Sequence, residues 1–183
     1  MTLRMPEAGR PWPEIEDEMH ARGAGDAAWR DGRTAVYVFN AGEDIAEVQK
    51  RAYTAFMAEN GLGPKAFPSL AQMERDVISM ALGLLNGPDG ATGAMTSGGT
   101  DSITMAIKTA RDHARQQGRA LARGNLVLPR SAHLAFDKAA HLMDLEVRRV
   151  PLRTDGSYQA DPAAMADASD ADTIMMVGSA PNF

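Results

Sequence analysis

The second half of the chain alternates between short apolar runs and helical patterns, and this alternation constrains the fold more than any other feature. Runs typical of strands lie at residues 92–95, 125–129, 145–152 and 173–179, and stretches with helical spacing of apolar residues separate them. Strands that alternate with helices favour an α/β fold with a mostly parallel sheet flanked by helices. In such sheets, ligands bind beyond the carboxyl ends of the strands.

The N-terminal third has a different pattern. Its Pro-, Gly- and charge-rich start predicts an arm with a short helix near residues 14–22. The β-branched and aromatic run at residues 34–40 predicts a strand or extended segment, and apolar spacing at residues 43–57 predicts a helix. We therefore divide the chain into an N-terminal arm and helix, residues 1–65, and a larger domain that begins at residue 66.

Composition excludes several classes of site. The net charge of −5 over 183 residues argues against non-specific nucleic-acid binding, and the absence of cysteine excludes disulfides and thiol nucleophiles. No apolar run approaches the length of a membrane span, and the N-terminus lacks the apolar stretch of a signal peptide, so we expect a soluble, cytoplasmic protein. His20, His113 and His141 have no partner at ligand spacing, and no metal is expected. The basic run at residues 111–123 is interpreted as a solvated helix end.

The glycine loop, "MTSGGTDS" at residues 95–102, is the main candidate for chemistry. Backbone N–H groups at a helix start lack intrahelical partners, and the helix dipole adds partial positive charge there. Gly98 and Gly99 allow a ligand to approach these donors, and the hydroxyl residues beside them add further donors. A phosphate is the natural ligand. The alternative is a capped helix with a tight turn, in which Thr100 or Asp101 supplies the cap.

The sequence around this loop resembles the pyridoxal-phosphate-dependent decarboxylase family of fold type I, and within it the sphingosine phosphate lyase branch. Four stretches carry the resemblance, which covers residues 36–183: "FPSLAQMERDVISMALGLLNGPDGA", "MTSGGTDSITMAIKTARDHA", "AHLAFDKAAHLMDLEVRRVPL" and "VGSAPNF". The resemblance implies the first part of the large cofactor-binding domain, over residues 66–183. It also implies pyridoxal 5'-phosphate as cofactor, a small amine or amino-acid substrate, and a homodimer for the complete enzyme.

The resemblance also implies roles for individual residues. The phosphate loop corresponds to Ser97, Gly98, Gly99 and Thr100, of which Gly99 and Thr100 are the expected direct contacts. His133 matches the histidine that stacks on the cofactor ring. Ser179 matches a hydroxyl beside the cofactor, and Asn60 matches an asparagine of the substrate-side loop.

Two catalytic groups of the family have no match in this sequence. The Schiff-base lysine and the carboxylate that holds the ring nitrogen lie, in the family, beyond the segment matched by "VGSAPNF", and none of the four lysines sits in a His-Lys pair. We therefore expect the N-terminal piece of a longer lyase, inactive by itself. A catalytically inactive remnant that binds phosphate or cofactor, or acts in assembly, is the alternative. Gly61 and Gly63 replace a proline and a histidine of the family's substrate loop, so the substrate stays open between a phosphorylated sphingoid and a related amine or amino acid. Decarboxylation and aldehyde-forming cleavage also both stay open.

Overall fold

The computed structural model describes residues 5–34, 36–119 and 123–180. The chain divides into two compact units, Met1–Ala71 and Gln72–Phe183. The assignment of residues 66–183 to a cofactor-binding domain stays a prediction.

The first unit is built from helices and loops. Helix α1 spans Trp12–Gly23 and helix α2 spans Glu43–Ala55, with a single 3₁₀ turn at Trp29–Asp31 between them. The short helix predicted near residues 14–22 and the helix predicted from apolar spacing at residues 43–57 are both confirmed. The strand or extended segment predicted at residues 34–40 is not a strand in its described part, where Tyr37 has a left-handed backbone (φ 75°) that interrupts an extended run.

The second unit contains the alternation of helices and strands that the sequence predicted. Helix α3 (Pro68–Leu84) leads into it. The elements that follow are α4 (Gly99–Gln116), β1 (Asn125–Pro129), α5 (Ala135–Leu142), β2 (Glu146–Val150), α6 (Pro162–Asp167) and β3 (Thr173–Met176).

The three strands form one parallel sheet in the order β2-β1-β3. In the β1–β2 ladder Asn125 lies opposite Glu146 and Pro129 opposite Val150, and β1 also pairs in parallel with β3. Strand β1 is buried along its whole length because it has a neighbour on each side and helices on both faces. The prediction of a parallel α/β sheet is confirmed.

Helices cover both faces of this sheet. Leu126 and Leu128 point to the face where Ile107 of α4 packs, whereas Val127 points to the opposite face and packs with Met165 of α6. This split follows from the two-residue period of a strand, which turns successive side chains to opposite faces. The apolar run "NLVLP" therefore belongs to a central strand and not to an edge strand.

The strand predicted at residues 92–95 is wrong. These residues have no strand assignment, and none of the three described strands pairs with them. A Cβ placed on Gly93 would lie 3.2 Å from the side chain of Ile78, so this segment packs closely against helix α3. Its sequence is compatible with extended backbone, but a strand also needs a neighbouring ladder.

Candidate functional site

Two of the predicted site residues follow the carboxyl ends of neighbouring strands. Strand β1 ends at Pro129 and is followed by His133, and strand β3 ends at Met176 and is followed by Ser179. Because β1 and β3 are adjacent and parallel, both residues lie at one edge of the sheet, which we call the carboxyl edge. This edge is where ligands bind in open α/β sheets.

Helix α4 runs antiparallel to the strands. Just beyond its C-terminus, Arg119 donates hydrogen bonds to the carbonyl oxygens of Ala171 and Thr173, at the amino end of β3. The helix has 18 residues and is about 27 Å long at 1.5 Å per residue. Strand β1, with 5 residues, is only about 16 Å long. The start of α4, with the glycine loop, is therefore directed towards and beyond the carboxyl edge.

The glycine loop has a backbone that only glycine adopts easily. Gly98 is the N-cap of α4 with φ 156° and ψ 176°, and its carbonyl accepts the first helical hydrogen bond, from Ser102 N at 3.0 Å. A Cβ built on Gly98 or Gly99 would meet no heavy atom within 4 Å. The backbone is therefore open on the side where a side chain would otherwise stand.

Side-chain hydroxyl groups form hydrogen bonds within this loop and stabilise it. Thr96 Oγ1 lies 2.6 Å from Ser102 Oγ and donates to the Gly98 carbonyl at 3.2 Å. The Asp101 carboxylate accepts from both the backbone N–H and the hydroxyl of Ser97, each at 3.1 Å. A carboxylate in the first helical turn also interacts favourably with the helix dipole.

The capped-helix interpretation is only partly met. Asp101 binds the residue before the N-cap, and no side chain caps the first N–H groups of α4. Gly99 and Thr100 are exposed. Their backbone N–H groups lie in the first turn, where no intrahelical acceptor exists, so they are available to a ligand.

His133 occupies the start of helix α5. Its Nδ1 accepts a hydrogen bond from Ala135 N at 3.0 Å, which fixes the orientation of the imidazole, while the residue as a whole is exposed. The bond leaves Nε2 and the ring faces for other contacts. A helix-start histidine and a ring-stacking histidine both fit this geometry.

Ser131 is a polar residue at the same edge that sequence reasoning missed. It lies between the end of β1 and His133, and its Oγ is shielded from solvent and has no hydrogen-bond partner among the described residues. Buried hydroxyls are normally paired, so this one is a candidate ligand contact. A single serine in a loop carries no sequence signal that distinguishes such a role.

Asn60 belongs to the first unit, where its Oδ1 accepts from Leu62 N at 3.1 Å and forms a local turn. Its substrate-side role stays a prediction.

Within residues 5–34, 36–119 and 123–180, no group of three His, Asp or Glu side chains is arranged to hold a metal ion. The helices of these same segments include none with the length and apolar character to cross a bilayer.

Known proteins of similar sequence and structure show which kind of protein has this arrangement of sheet and glycine loop. No family model matches the chain. It is 35% identical over 179 residues to "Sphingosine-1-phosphate lyase 1" of Mus musculus, a match that covers 98% of this chain and 31% of the mouse protein. The solved structure of sphingosine-1-phosphate lyase Bpss2021 from Burkholderia pseudomallei K96243 superimposes with a TM-score of 0.88 at 33% identity. That match covers 100% of this chain and 43% of the bacterial one.

A more distant structure agrees in fold alone. Glutamate decarboxylase from Lactobacillus brevis CGMCC 1306 has a TM-score of 0.76 at 18% identity, over 97% of this chain and 41% of the decarboxylase.

With its helices and parallel sheet, the chain matches the N-terminal region of fold type I pyridoxal-phosphate-dependent enzymes, and this match defines its class. Within that class, the chain belongs to the sphingosine phosphate lyase-like family. It spans about a third of the length of the curated relatives it matches.

Proposed function

We propose that this chain supplies the phosphate- and ring-binding part of a pyridoxal-phosphate-dependent carbon–carbon lyase. The whole protein would be an amino-acid decarboxylase or a sphingosine phosphate lyase-like aldehyde-lyase. The observation that carries the proposal is the open glycine loop at the start of α4, directed towards the sheet edge where His133 and Ser179 lie.

The phosphate of the cofactor fits the start of α4. The N–H groups of Gly99 and Thr100, the Thr100 hydroxyl and the helix dipole all favour an anion there. The open space beside Gly98 and Gly99 leaves room for close approach. The hydroxyl of Ser97 is committed to Asp101, so its part is to hold the loop in shape while its neighbours contact the phosphate.

The ring of the cofactor would lie between the loop and the carboxyl edge. His133, oriented by its bond from Ala135 N, would stack on the ring, and Ser179 and Ser131 would offer hydroxyl groups beside it. When bound, pyridoxal 5'-phosphate supplies an electron-withdrawing ring that takes up the electrons of a breaking bond at the substrate α-carbon. Asn60 would contribute on the substrate side.

Further parts of the proposal concern the whole protein. The resemblance to the family supports a homodimer and an amine or amino-acid substrate. The absence of cysteine fits a cytoplasmic location.

A catalytically inactive cofactor-binding or assembly module is the second candidate. The observation in its favour is the placement of the lysines. Lys50 pairs with Glu47 at 3.7 Å, Lys108 pairs with Asp112 at 2.5 Å, and Lys138 lies within α5. None of the four lysines lies in the glycine loop or in the described segments that follow the three strands.

The proposal is tested by titrating the chain with pyridoxal 5'-phosphate and following cofactor absorbance. Thr100→Val removes the proposed phosphate contact, and Thr109→Val removes a hydroxyl from the same helix that only bonds the Met105 carbonyl. We expect Thr100→Val to weaken binding about 10-fold, the typical value of one hydrogen bond to a charged group, and Thr109→Val to leave it unchanged.

Pyridoxal without its phosphate provides the second arm of this experiment. Its binding should be insensitive to Thr100→Val, because it has no group for the loop to hold. Equal affinity of wild type and Thr100→Val for pyridoxal 5'-phosphate, or an equal loss for both ligands, would contradict the proposal.

A further inference from the structure

Four arginines line one recess at the end of α4 that is remote from the glycine loop. The recess has a volume of about 200 Å³, and Arg111, Arg115, Arg119 and Arg123 contribute to it. Its remaining wall comes from Gly124, just before β1, and from the segment 143–145, just before β2. The sequence predicts a solvated helix end here; Arg115, Arg119 and Arg123 are indeed exposed, and the structure also gathers all four arginines around a concavity.

The recess is strongly positive although the chain is acidic. Four guanidinium groups line the recess, whereas Asp144 is the one carboxylate among its described lining residues. Asp144 pairs with Arg123 at 3.3 Å, and its side chain is 92% exposed. Arg111 is partly neutralised by Asp112, at 2.9 Å. Arg115 and Arg119 have no carboxylate partner among the described residues. The chain as a whole has a net charge of −5, so the positive charge of the recess comes from its own arginines and not from a generally basic surface.

Much of the donor capacity in the recess is unused. The Arg115 side chain makes no hydrogen bond or ion pair within the described parts of the chain. Arg119 uses only Nη2, which bonds two backbone carbonyl oxygens and thereby anchors the guanidinium beside the recess. A guanidinium presents its donors in a planar fork that matches the oxygens of phosphate.

We propose that the arginine recess binds a compact phosphate anion with two adjacent phosphate groups, of the pyrophosphate class. Two phosphate groups are favoured over one because two arginines, Arg115 and Arg119, have no carboxylate partner among the described residues. Each of them can hold one phosphate. The volume lies below the range typical of pockets for drug-sized ligands, which favours the phosphate portion alone over a whole nucleotide. This proposal is independent of the proposed cofactor site, which lies at the opposite end of α4.

Isothermal titration calorimetry of the 183-residue chain with inorganic pyrophosphate tests it, at constant low ionic strength because salt screens such contacts. Arg115→Gln removes the unpaired guanidinium. Arg75→Gln on α3, whose side chain bonds Gln72 at 2.7 Å, makes the same charge change outside the recess. We expect Arg115→Gln to weaken pyrophosphate binding about 10-fold and Arg75→Gln to leave it unchanged. Arg115→Lys keeps the charge without the fork and should fall between wild type and Arg115→Gln.

Two further measurements distinguish binding in the arginine recess from binding at the glycine loop. Thr100→Val should affect only binding at the glycine loop, so the pyrophosphate binding that Arg115→Gln weakens should persist in it, and orthophosphate should bind at the recess more weakly than pyrophosphate. The proposal is overturned if Arg115→Gln retains wild-type affinity, if Arg75→Gln loses as much as Arg115→Gln, or if only Thr100→Val loses affinity. Thermal unfolding of each variant establishes that a loss of binding is not a loss of fold.

Discussion

Gly98 and Gly99 are adjacent, yet they use the absence of a side chain differently. Gly98 has φ 156°, in a region that residues with a Cβ rarely enter, whereas Gly99 is the first residue of α4. At Gly98 glycine is needed for the turn itself. At Gly99 the backbone is an ordinary helical one, and glycine serves to keep the N–H groups accessible.

This difference predicts that two alanine substitutions change the stability by different amounts. Gly98→Ala should lower the free energy of unfolding by about 1–3 kcal/mol, the cost of strained backbone. Gly99→Ala should change it by no more than about 0.5 kcal/mol, because the added methyl group meets open space. Chemical denaturation of both variants checks this. Equal destabilisation would show that the Gly98 backbone is not what sets the turn.

His133 combines a structural contact with a proposed ligand contact, and substitutions can separate the two. His133→Ala should weaken pyridoxal 5'-phosphate binding about 3–10-fold, the value of an aromatic stacking contact. It should also destabilise the chain by about 1 kcal/mol, because the Ala135 N–H loses its acceptor.

His133→Asn keeps an acceptor near Ala135 N without the ring. It should restore stability but not cofactor affinity. His141→Ala, at the other end of the same helix, should change neither cofactor affinity nor stability. Full affinity in His133→Asn, measured by absorbance titration, would rule out the stacking role.

At the scale of elements, a polar cluster joins β1 to β3 at their amino ends. Asn125 is fully buried, donates to Asp170 Oδ1 at 2.9 Å and accepts from Thr173 Oγ1 at 2.8 Å. Asp170 also accepts from Arg148 of β2 at 2.6 Å. The Asp170 carboxylate therefore bonds residues of β1 and β2, and Thr173 of β3 joins the cluster through Asn125.

This cluster makes stability depend on pH in a defined direction. The hydrogen bond from Asn125, followed by that from Arg148, lowers the pKa of Asp170 to about 2 from its ordinary 3.8. A depressed carboxylate pKa stabilises the fold above the ordinary value, and that contribution is lost as the pH falls towards 2. Asp170→Asn should therefore have a lower Tm than wild type at pH 7, with the difference shrinking between pH 4 and pH 2. A difference that stays constant over this range would contradict the assignment.

Helix α4 packs on the sheet through the partly buried Ile103 and through Ile107. The Ile107 side chain is fully buried against β1, whereas Met105 on the same helix is 46% exposed. Ile107→Ala should cost about 2–5 kcal/mol of unfolding free energy, and Met105→Ala well under that, about 0.5 kcal/mol. Circular dichroism melts of the two variants provide the measurement. Similar losses for both would mean that α4 is not docked through Ile107.

The elements differ in how far the sequence predicts them. Strand β1 and helices α2 and α4 were predicted closely, because "NLVLP" carries an uninterrupted apolar run after Asn125 and the helices carry long regular apolar spacing. Neither the segment at 34–40, predicted as a strand or extended segment, nor the segment at 92–95, predicted as a strand, is a strand in the described residues. Local composition indicates extended backbone but does not show whether a neighbouring strand is present to pair with it.

At the scale of the whole molecule, the topology could be predicted better than the contacts within the site. The alternation of elements places His133 and Ser179 at one edge, and the glycine pair suggested the loop before α4. The bond from Ala135 N to His133, the unpaired Ser131 hydroxyl and the arginine recess depend on tertiary packing, which no local pattern encodes.

The placement of the lysines predicts how the chain as a whole handles the cofactor. Because none lies in the glycine loop or the described loops after the strands, pyridoxal 5'-phosphate should bind through phosphate contacts and stacking alone. Borohydride, which traps a link between the cofactor aldehyde and a lysine amine, should therefore give no stoichiometric adduct. Mass spectrometry after reduction is the measurement, and a single labelled lysine with turnover of an amine substrate would refute it.

The strand order has a consequence for synthesis on the ribosome. Strand β1 is the most buried strand, yet both of its neighbours follow it in the chain, with β3 complete only at Met176. At about 5–20 residues per second, roughly 2–9 s pass between translation of the end of β1 and the end of β3. During that interval an apolar nascent segment has no partner on one side. Slow translation would prolong its exposure, so codon choice between β1 and β3 bears on how much of the chain escapes aggregation.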